Sequence, residues 1–369
     1  MNTKPRPFYM IIKALCLFLL INVAYALINP PIAEISIYNT LVPGLDRMPF
    51  GNGNDPYTIT VDNVDAMFAA HSISAKKAPN EIRVALVGDS SVWGDALSSR
   101  TTLAAQWNQL GAQCGGKHIK VYNLGYPHPS IIKDLIFIDE LRARQPDAII
   151  WFVTLNTLAN QDRLNPFLTG NRERTLQILD TYAIPFASRK TLTEDNAGFY
   201  QQTLIGRRSF LARWIKLQAL GLVWSATGDD VHHELGYSES MAQSDMSKDI
   251  SYRGLQPGDD LRDAMLLKAL DAGHVVAGKI SLALVNEPIY IATGLHSDVR
   301  YNDLYPRWAY DQYRDILTKQ ARSNSWAYLD MWNVIPSKYF IDASLHIQPK
   351  GEKLFAEQLN PVLLSMVCP

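Results

Sequence analysis

The chain has 369 residues, 47% of them hydrophobic and 19% charged, enough to bury one large core and leave material for an appendage. Against 36 acidic residues stand 35 basic ones, a formal charge of −1 that offers no electrostatic footprint for nucleic acid. Three scattered cysteines, Cys16, Cys114 and Cys368, lack the short spacings of a zinc site, and there is no Gly-rich phosphate loop, so neither metal nor cofactor is expected.

Residues 8–28, FYMIIKALCLFLLINVAYALI, are long and apolar enough to cross a bilayer as one helix, interrupted by Lys13 and Asn22. Lys4 and Arg6 precede the run, which places the amino terminus in the cytoplasm and the body of the chain outside. A cleaved signal peptide is the competing reading, with Ala24-Tyr25-Ala26 as its small-residue site. Cys16 lies inside the apolar run after Lys13-Ala14-Leu15, a poor approach to a lipidated cysteine. Cys114 and Cys368 can pair only if the soluble part meets an oxidising compartment.

Residues 29–80 are rich in Pro, Gly and Asn and read as a juxtamembrane stalk or a wrapping segment, with a short helix within 61–74. From 81 the texture changes. The run IRVALVG predicts a strand feeding a helix over 101–110; HIKVYNLG predicts a second strand before a helix over 130–144 that shows Ile131, Leu135 and Ile138 on one face. AIIWFVT is a third strand. Further on, a helix within 261–277 precedes ISLALVNEPIYI, a helix over 308–323 precedes WAYLDMW, and 350–359 forms a closing helix.

This alternation predicts an α/β domain over 81–369 with a parallel sheet covered on both faces. Residues 160–259 do not fit it and are expected to form an insertion or lid. Within it, residues 210–226 place Trp214, Leu217, Leu220 and Trp224 beside Arg213 and Lys216, the composition either of a helix packed on the domain or of one that lies at a membrane interface or grips a lipid-like acyl group. The neighbouring His232 and His233 are not expected to hold a metal, because adjacent side chains point apart and Asp229, Asp230 and Glu234 read as a solvated loop.

The chemistry begins at Gly88-Asp89-Ser90-Ser91, which sets a serine at the carboxyl end of the first strand, where open α/β sheets bind ligands. A serine hydroxyl needs a base within hydrogen-bond reach and a group to orient that base. Among eight histidines, His346 stands in IDASLHIQPKGEKLFAEQL, four residues after Asp342 and just ahead of a helix.

A strand-GDS near the start with an acid-His-helix near the end resembles the SGNH (GDSL-like) hydrolases, over about 81–160 and 280–364. The resemblance implies a flavodoxin-like three-layer α/β/α sandwich. It makes Ser90 the nucleophile and His346 its base, and forms the oxyanion hole from the N–H groups of Ser90 and Gly125 and the side chain of Asn156. Fixed donors of this kind lower the barrier by stabilising the charge that acyl transfer builds on the carbonyl oxygen. The family's block three reads Gly-x-Asn-Asp, whereas Thr154-Leu155-Asn156-Thr157 keeps only the asparagine. Its acid stands three residues before the histidine, where this chain has Ala343; Asp342, Ser344 or a backbone carbonyl is left to orient the ring.

The expected activity is that of an extracytoplasmic, membrane-anchored serine esterase acting on O-acyl, above all O-acetyl, groups of a cell-surface glycan or similar ester. One alternative is an O-acyltransferase that works beside a multipass membrane acyl donor. Another is a non-catalytic surface protein that retains the fold. The absence of a Gly-x-Ser-x-Gly elbow around Ser90 argues against a lipase of the α/β-hydrolase kind.

Overall fold

A computed structural model describes residues 7–51, 57–159, 164–194, 198–228, 230 and 244–368. Six strands form one sheet in the order β2-β3-β1-β4-β5-β6. They are β1 (Glu81–Gly88), β2 (Gln113–Cys114), β3 (Lys117–Gly125), β4 (Ala148–Val153), β5 (Ser281–Asn286) and β6 (Ala327–Asp330). All neighbours are parallel except the two-residue β2, an antiparallel hairpin partner of β3 that no sequence pattern announces. Leaving β2 aside, the parallel order is the flavodoxin-like 2-1-3-4-5, with the topological switch beside β1.

In chain order the helices are α1 (Pro7–Ile28), α2 (Ile37–Leu41), α3 (Val64–Ala70), α4 (Ser90–Trp93), α5 (Leu103–Gln109), α6 (Ile131–Arg142) and α7 (Leu155–Leu158). They continue with α8 (Pro166–Gly170), α9 (Arg172–Thr181), α10 (Arg189–Glu194), α11 (Phe199–Gln202), α12 (Arg208–Thr227), α13 (Leu267–Ala277), α14 (Arg307–Asn324) and α15 (Pro349–Val367). Side chains of β1 alternate between two cores: Ala85 and Val87 join that of α6, α13 and α14, whereas Val84 and Leu86 join that of α5 and α15. A strand buried on both faces reads as a continuous apolar run, which is why 82–88 is legible in the sequence.

The described residues of the segment over 29–80 are packed on the domain. Val61, Val64, Met67 and Phe68 are buried in the first core, and the Leu45 and Ser72 backbones bond each other and Ala70. Of the two readings of this segment, the structure has the wrapping one, and Val61, Val64, Met67 and Phe68 seat it at helical spacing, the last three in α3. Arg47 at its centre is fully buried; it grips Asp230 through Nε and Nη2 and donates from Nη1 to the carbonyls of Gly94 and Leu97. Helix α12 lies on the same strap, where Leu217 and Trp224 are buried and the indoles of Trp214 and Trp224 donate to the carbonyls of Ile35 and Tyr57 at 3.1 and 2.9 Å.

Helix α1 has a mean hydropathy of 2.4 and one charged residue, Lys13; among its residues only Asn22 and Ala26 are buried. That is the length and polarity of a membrane span or a signal sequence. Cys114, in β2, and Cys368, after α15, form a disulfide with Cα atoms 5.7 Å apart, while Cys16 is free. Cross-linking positions 254 apart removes chain entropy from the unfolded state, up to about 5 kcal/mol in the loop-closure account. We therefore expect Cys114→Ser with Cys368→Ser to lower the unfolding free energy from urea titration by a large fraction of that figure, and a thiol reagent to tag only Cys16 in the unreduced, unfolded chain.

Candidate active site

Strand β1 ends at Gly88 and Asp89 turns the chain into α4. The Asp89 carboxylate caps this helix by accepting from the Ser91 N–H and Oγ, both at 3.1 Å. Ser90 heads α4, so its N–H has no intrahelical acceptor. The helix stops after one turn at Gly94, whose φ of 85° is the left-handed conformation that glycine adopts without strain. Beneath this turn the fully buried Lys133 donates from Nζ to the carbonyls of Gly88 and Tyr126, at 2.6 and 3.1 Å, and pairs with Asp134 at 3.0 Å. The ends of β1 and β3 are thereby tied together under the serine.

His346 arrives from the opposite end of the chain, on a loop closed by Ile341 N–H to His346 O at 2.8 Å and by the bridge between Phe340 and Ile347. Its Nε2 lies 2.9 Å from Ser90 Oγ, and its Nδ1 bonds Asp342 Oδ2. The tight loop resolves the spacing of the acid. Asp342 Oδ1 accepts from Ser344 N–H, Ser344 Oγ and His346 N–H, which folds the extra residue back and brings the carboxylate under the ring. Asp342, and not Ser344 or a carbonyl, orients the imidazole.

Burial disfavours the charged form of both groups, but their mutual contact wins. Hydrogen bonds from His346 and Ser344 bring the Asp342 pKa down to about 2. For His346, burial works to lower the pKa, while the Asp342 hydrogen bond and charge, helped by Asp95 and Asp89, hold it above the ordinary imidazole value. Asp95 is half exposed, with Oδ2 4.0 Å from His346 Nε2.

Asn156 sits in α7, just past β4. Thr157, next in the chain, donates to Asp89 Oδ2 at 3.5 Å, which keeps α7 beside the nucleophile turn. Thr157 also caps its own helix by accepting from the Thr154 N–H. A hydroxyl donor suits this place, where an aspartate would face the Asp89 carboxylate. The Asn156 side-chain oxygen accepts from Tyr252 Oη and from Arg253 Nη2, both at 3.1 Å. Two donors on Oδ1 fix the amide's orientation and leave Nδ2 to face away from them.

Gly125 does not play the part expected of it. Its N–H donates to Asn123 Oδ1 at 3.0 Å, so it is not a free oxyanion donor. A Cβ there would stand 2.2 Å from the Trp93 backbone nitrogen, so the residue is glycine because α4 crosses the end of β3 in contact. Of the three expected donors, the Gly125 N–H is the one engaged by a neighbouring side chain.

Several participants carry no sequence signal. Tyr252 and Arg253 belong to a tight turn in which Arg253 and Gly254 both have positive φ, 54° and 86°, closed by Tyr252 and Leu255. Glu287, just after β5, is buried against Ser91 Oγ; burial first, then the nearby Asp89 charge, hold its pKa well above the carboxylate range. Among the described residues no three His, Cys, Asp or Glu side chains converge as a metal-holding group, and His232 and His233 lie outside the described residues.

No family model and no curated protein matches the chain. Among solved structures it is similar to a carbohydrate acetylesterase family member from Sinorhizobium meliloti, at 12% identity over 77% of this chain and 99% of that one, with a TM-score of 0.32. It is also similar to a lipase/acylhydrolase from Enterococcus faecalis, at 12% identity over 76% of this chain and 96% of that one, with a TM-score of 0.34. Likenesses this distant decide nothing about chemistry. The chain's own geometry, a flavodoxin-like sheet with a serine just past its first strand and a histidine ahead of its last helix, is the arrangement that the SGNH resemblance implies.

Two outcomes follow for ester turnover. An imidazole must be neutral to accept a proton, so kcat/KM rises as the pH climbs through the His346 pKa. Because Asp342 holds that pKa up, Asp342→Asn is expected to cut kcat by roughly 10³-fold or more and to move the acid limb of the pH profile to lower pH. Removing the two donors on Asn156, by Tyr252→Phe with Arg253→Ala, is expected to lower kcat about tenfold. The same pair of changes placed on Asn156→Ala should have almost no further effect.

Proposed function

We propose that this chain is a serine esterase of the SGNH type that acts on a polar acyl ester through an acyl-Ser90 intermediate. The observation that carries the reading is the Asp342–His346–Ser90 relay, assembled from residues 256 positions apart. Ser90 Oγ attacks the ester carbonyl as His346 Nε2 takes its proton. The Ser90 N–H and Asn156 Nδ2 hold the developing oxyanion. The tetrahedral centre then expels the alcohol, which leaves with the proton from His346. Water repeats the sequence on the acyl-serine and releases the acid.

The rim favours a polar substrate. Asp95 and Arg253, both exposed, flank His346 and Asn156 with opposite charges, a setting for hydroxyl-rich groups more than for a lipid tail. An O-acetylated glycan outside the cell fits this chemistry, and the Cys114–Cys368 bond and the apolar α1 favour an extracytoplasmic, membrane-attached domain.

A fluorophosphonate probe tests the reading directly. It is expected to label the folded wild-type chain, with labelling lost in Ser90→Ala, and hydrolysis of an activated acetyl ester should fall by at least about 10³-fold in Ser90→Ala and His346→Ala. An intact, folded chain that neither labels nor hydrolyses esters would leave a scaffold with no chemistry. Acetyl transfer to a sugar hydroxyl in preference to water would replace hydrolysis by acyl transfer at the same serine.

A further inference from the structure

Helix α12 has a second apolar face that the fold leaves unused. Its inner side, with Leu217, Gly221 and Trp224, is buried on the strap. On the outer side Ala212, Ile215, Ala219, Leu222 and Ala226 recur every three or four residues and form one stripe. Ile215 is 61% and Leu222 49% exposed, where a helix facing water presents polar residues.

The exposure is concentrated around this helix. Among the described residues outside α1, exposed large apolar side chains gather on α12, on Phe199 and Tyr200 of α11, on Ile35, Ile37 and Leu41 around α2, and on Tyr57; Ile250, Val275 and Leu295 alone lie elsewhere. Direct bonds join the pieces: Ile37 N–H donates to Gln218 Oε1 at 2.7 Å and Arg208 Nη1 to Tyr200 Oη at 3.4 Å. The apolar α1 runs into the same surface, where Asn22 Oδ1 accepts from the Ile205 N–H at 3.1 Å, just ahead of α12. Arg208 and Lys216 flank the stripe, Arg213 turns inward to pair with Asp62 at 3.2 Å, and α12 has no carboxylate.

We propose that the outer face of α12, with the exposed residues of α11 and α2, lies in the headgroup layer of an anionic bilayer as a second membrane contact beside α1. The inference rests on reading α1 as a retained anchor. An apolar stripe edged by cations is the pattern of a helix in the membrane plane, where the apolar side enters the acyl boundary and the cations meet lipid phosphates. Its continuity with α1 and its positive edge select lipid over a second copy of the chain. One helix crossing the membrane lets a domain swivel; a second lying on it fixes which way the domain faces. Residue 230, just beyond α12, is the Asp that pairs with Arg47, and Arg47 holds the Gly94 and Leu97 carbonyls of the loop after Ser90. The contact therefore sets the bearing of the catalytic edge relative to the bilayer.

The test uses the full-length chain with Cys16→Ser, inserted in vesicles of phosphatidylcholine and phosphatidylglycerol. An environment-sensitive fluorophore is attached at Ile215→Cys, at Leu222→Cys, or at the remote control Val275→Cys. Blue-shifted emission and several-fold stronger quenching by nitroxide-bearing lipids are expected at 215 and 222 relative to 275. Equal, weak quenching at all three positions overturns the proposal, and so does a blue shift without lipid quenching, which signals a protein partner. Carbonate extraction of the same vesicles reports on α1 alone. Loss of the chain there refutes the anchor and this inference together, whereas a retained chain with unquenched probes refutes only this inference.

Discussion

The catalytic edge depends on how the carboxyl ends of β1 and β3 are held. Lys133 is fully buried, and its ammonium bridges the terminal carbonyls of the two strands, Gly88 and Tyr126, while Asp134 and the Trp151 indole complete the network. Two charges inside a core tend to cost more in lost hydration than their attraction returns, so the pair is better understood as fixing geometry than as adding stability. It sets the level at which β1 stops and α4 begins. A nucleophile on a one-turn helix needs such a floor, because four residues of helix have little stability of their own.

That floor explains which parts of the site were legible. Strands β1 and β4 announced themselves because each is buried on both faces, and Ser90 and His346 because they follow a strand and precede a helix at the two extremes of the domain. Gly125 was misread because a glycine that permits close approach and a glycine that offers its N–H look the same in sequence; the Asn123 side chain that occupies the N–H decides between them. Lys133 and Asp134 lie off the face of Ile131, Leu135 and Ile138 that the sequence shows, yet α6 is buried on nearly all sides. Tyr252 and Arg253 were hidden in the insertion, where no periodicity links a turn to the asparagine it orients.

The Pro- and Gly-rich strap shows a similar ambiguity. A stalk and a wrapping segment share a composition, and what separates them is a few apolar residues that join the domain's core. Once seated, the strap presents its backbone to α12, and the tryptophans that suggested a membrane or acyl-binding helix prove to be pegs that donate to strap carbonyls. The side of α12 that is left open is the one whose residues drew no notice, because alanine, isoleucine and leucine at helical spacing read as core.

The electrostatics of the site set two demands against each other. Asp342, Asp89 and Asp95 all favour the imidazolium that forms when His346 takes the serine proton, but negative charge beside the oxyanion opposes the same transition state. The fold separates the two effects by direction. Asp342 stands behind the imidazole, on its Nδ1 side, and Asp89 is engaged by the capping donors of α4 and by Thr157. Glu287, buried beneath the turn, is driven toward its neutral form by burial and by Asp89 itself, so the cluster carries fewer charges than its residue count suggests. On the other side, Tyr252 and Arg253 pull the Asn156 oxygen toward themselves and leave the amide's positive end for the substrate. The histidine is thus raised in basicity by acids it can feel, while the proposed mechanism gives the developing anion to the Ser90 N–H and the Asn156 amide.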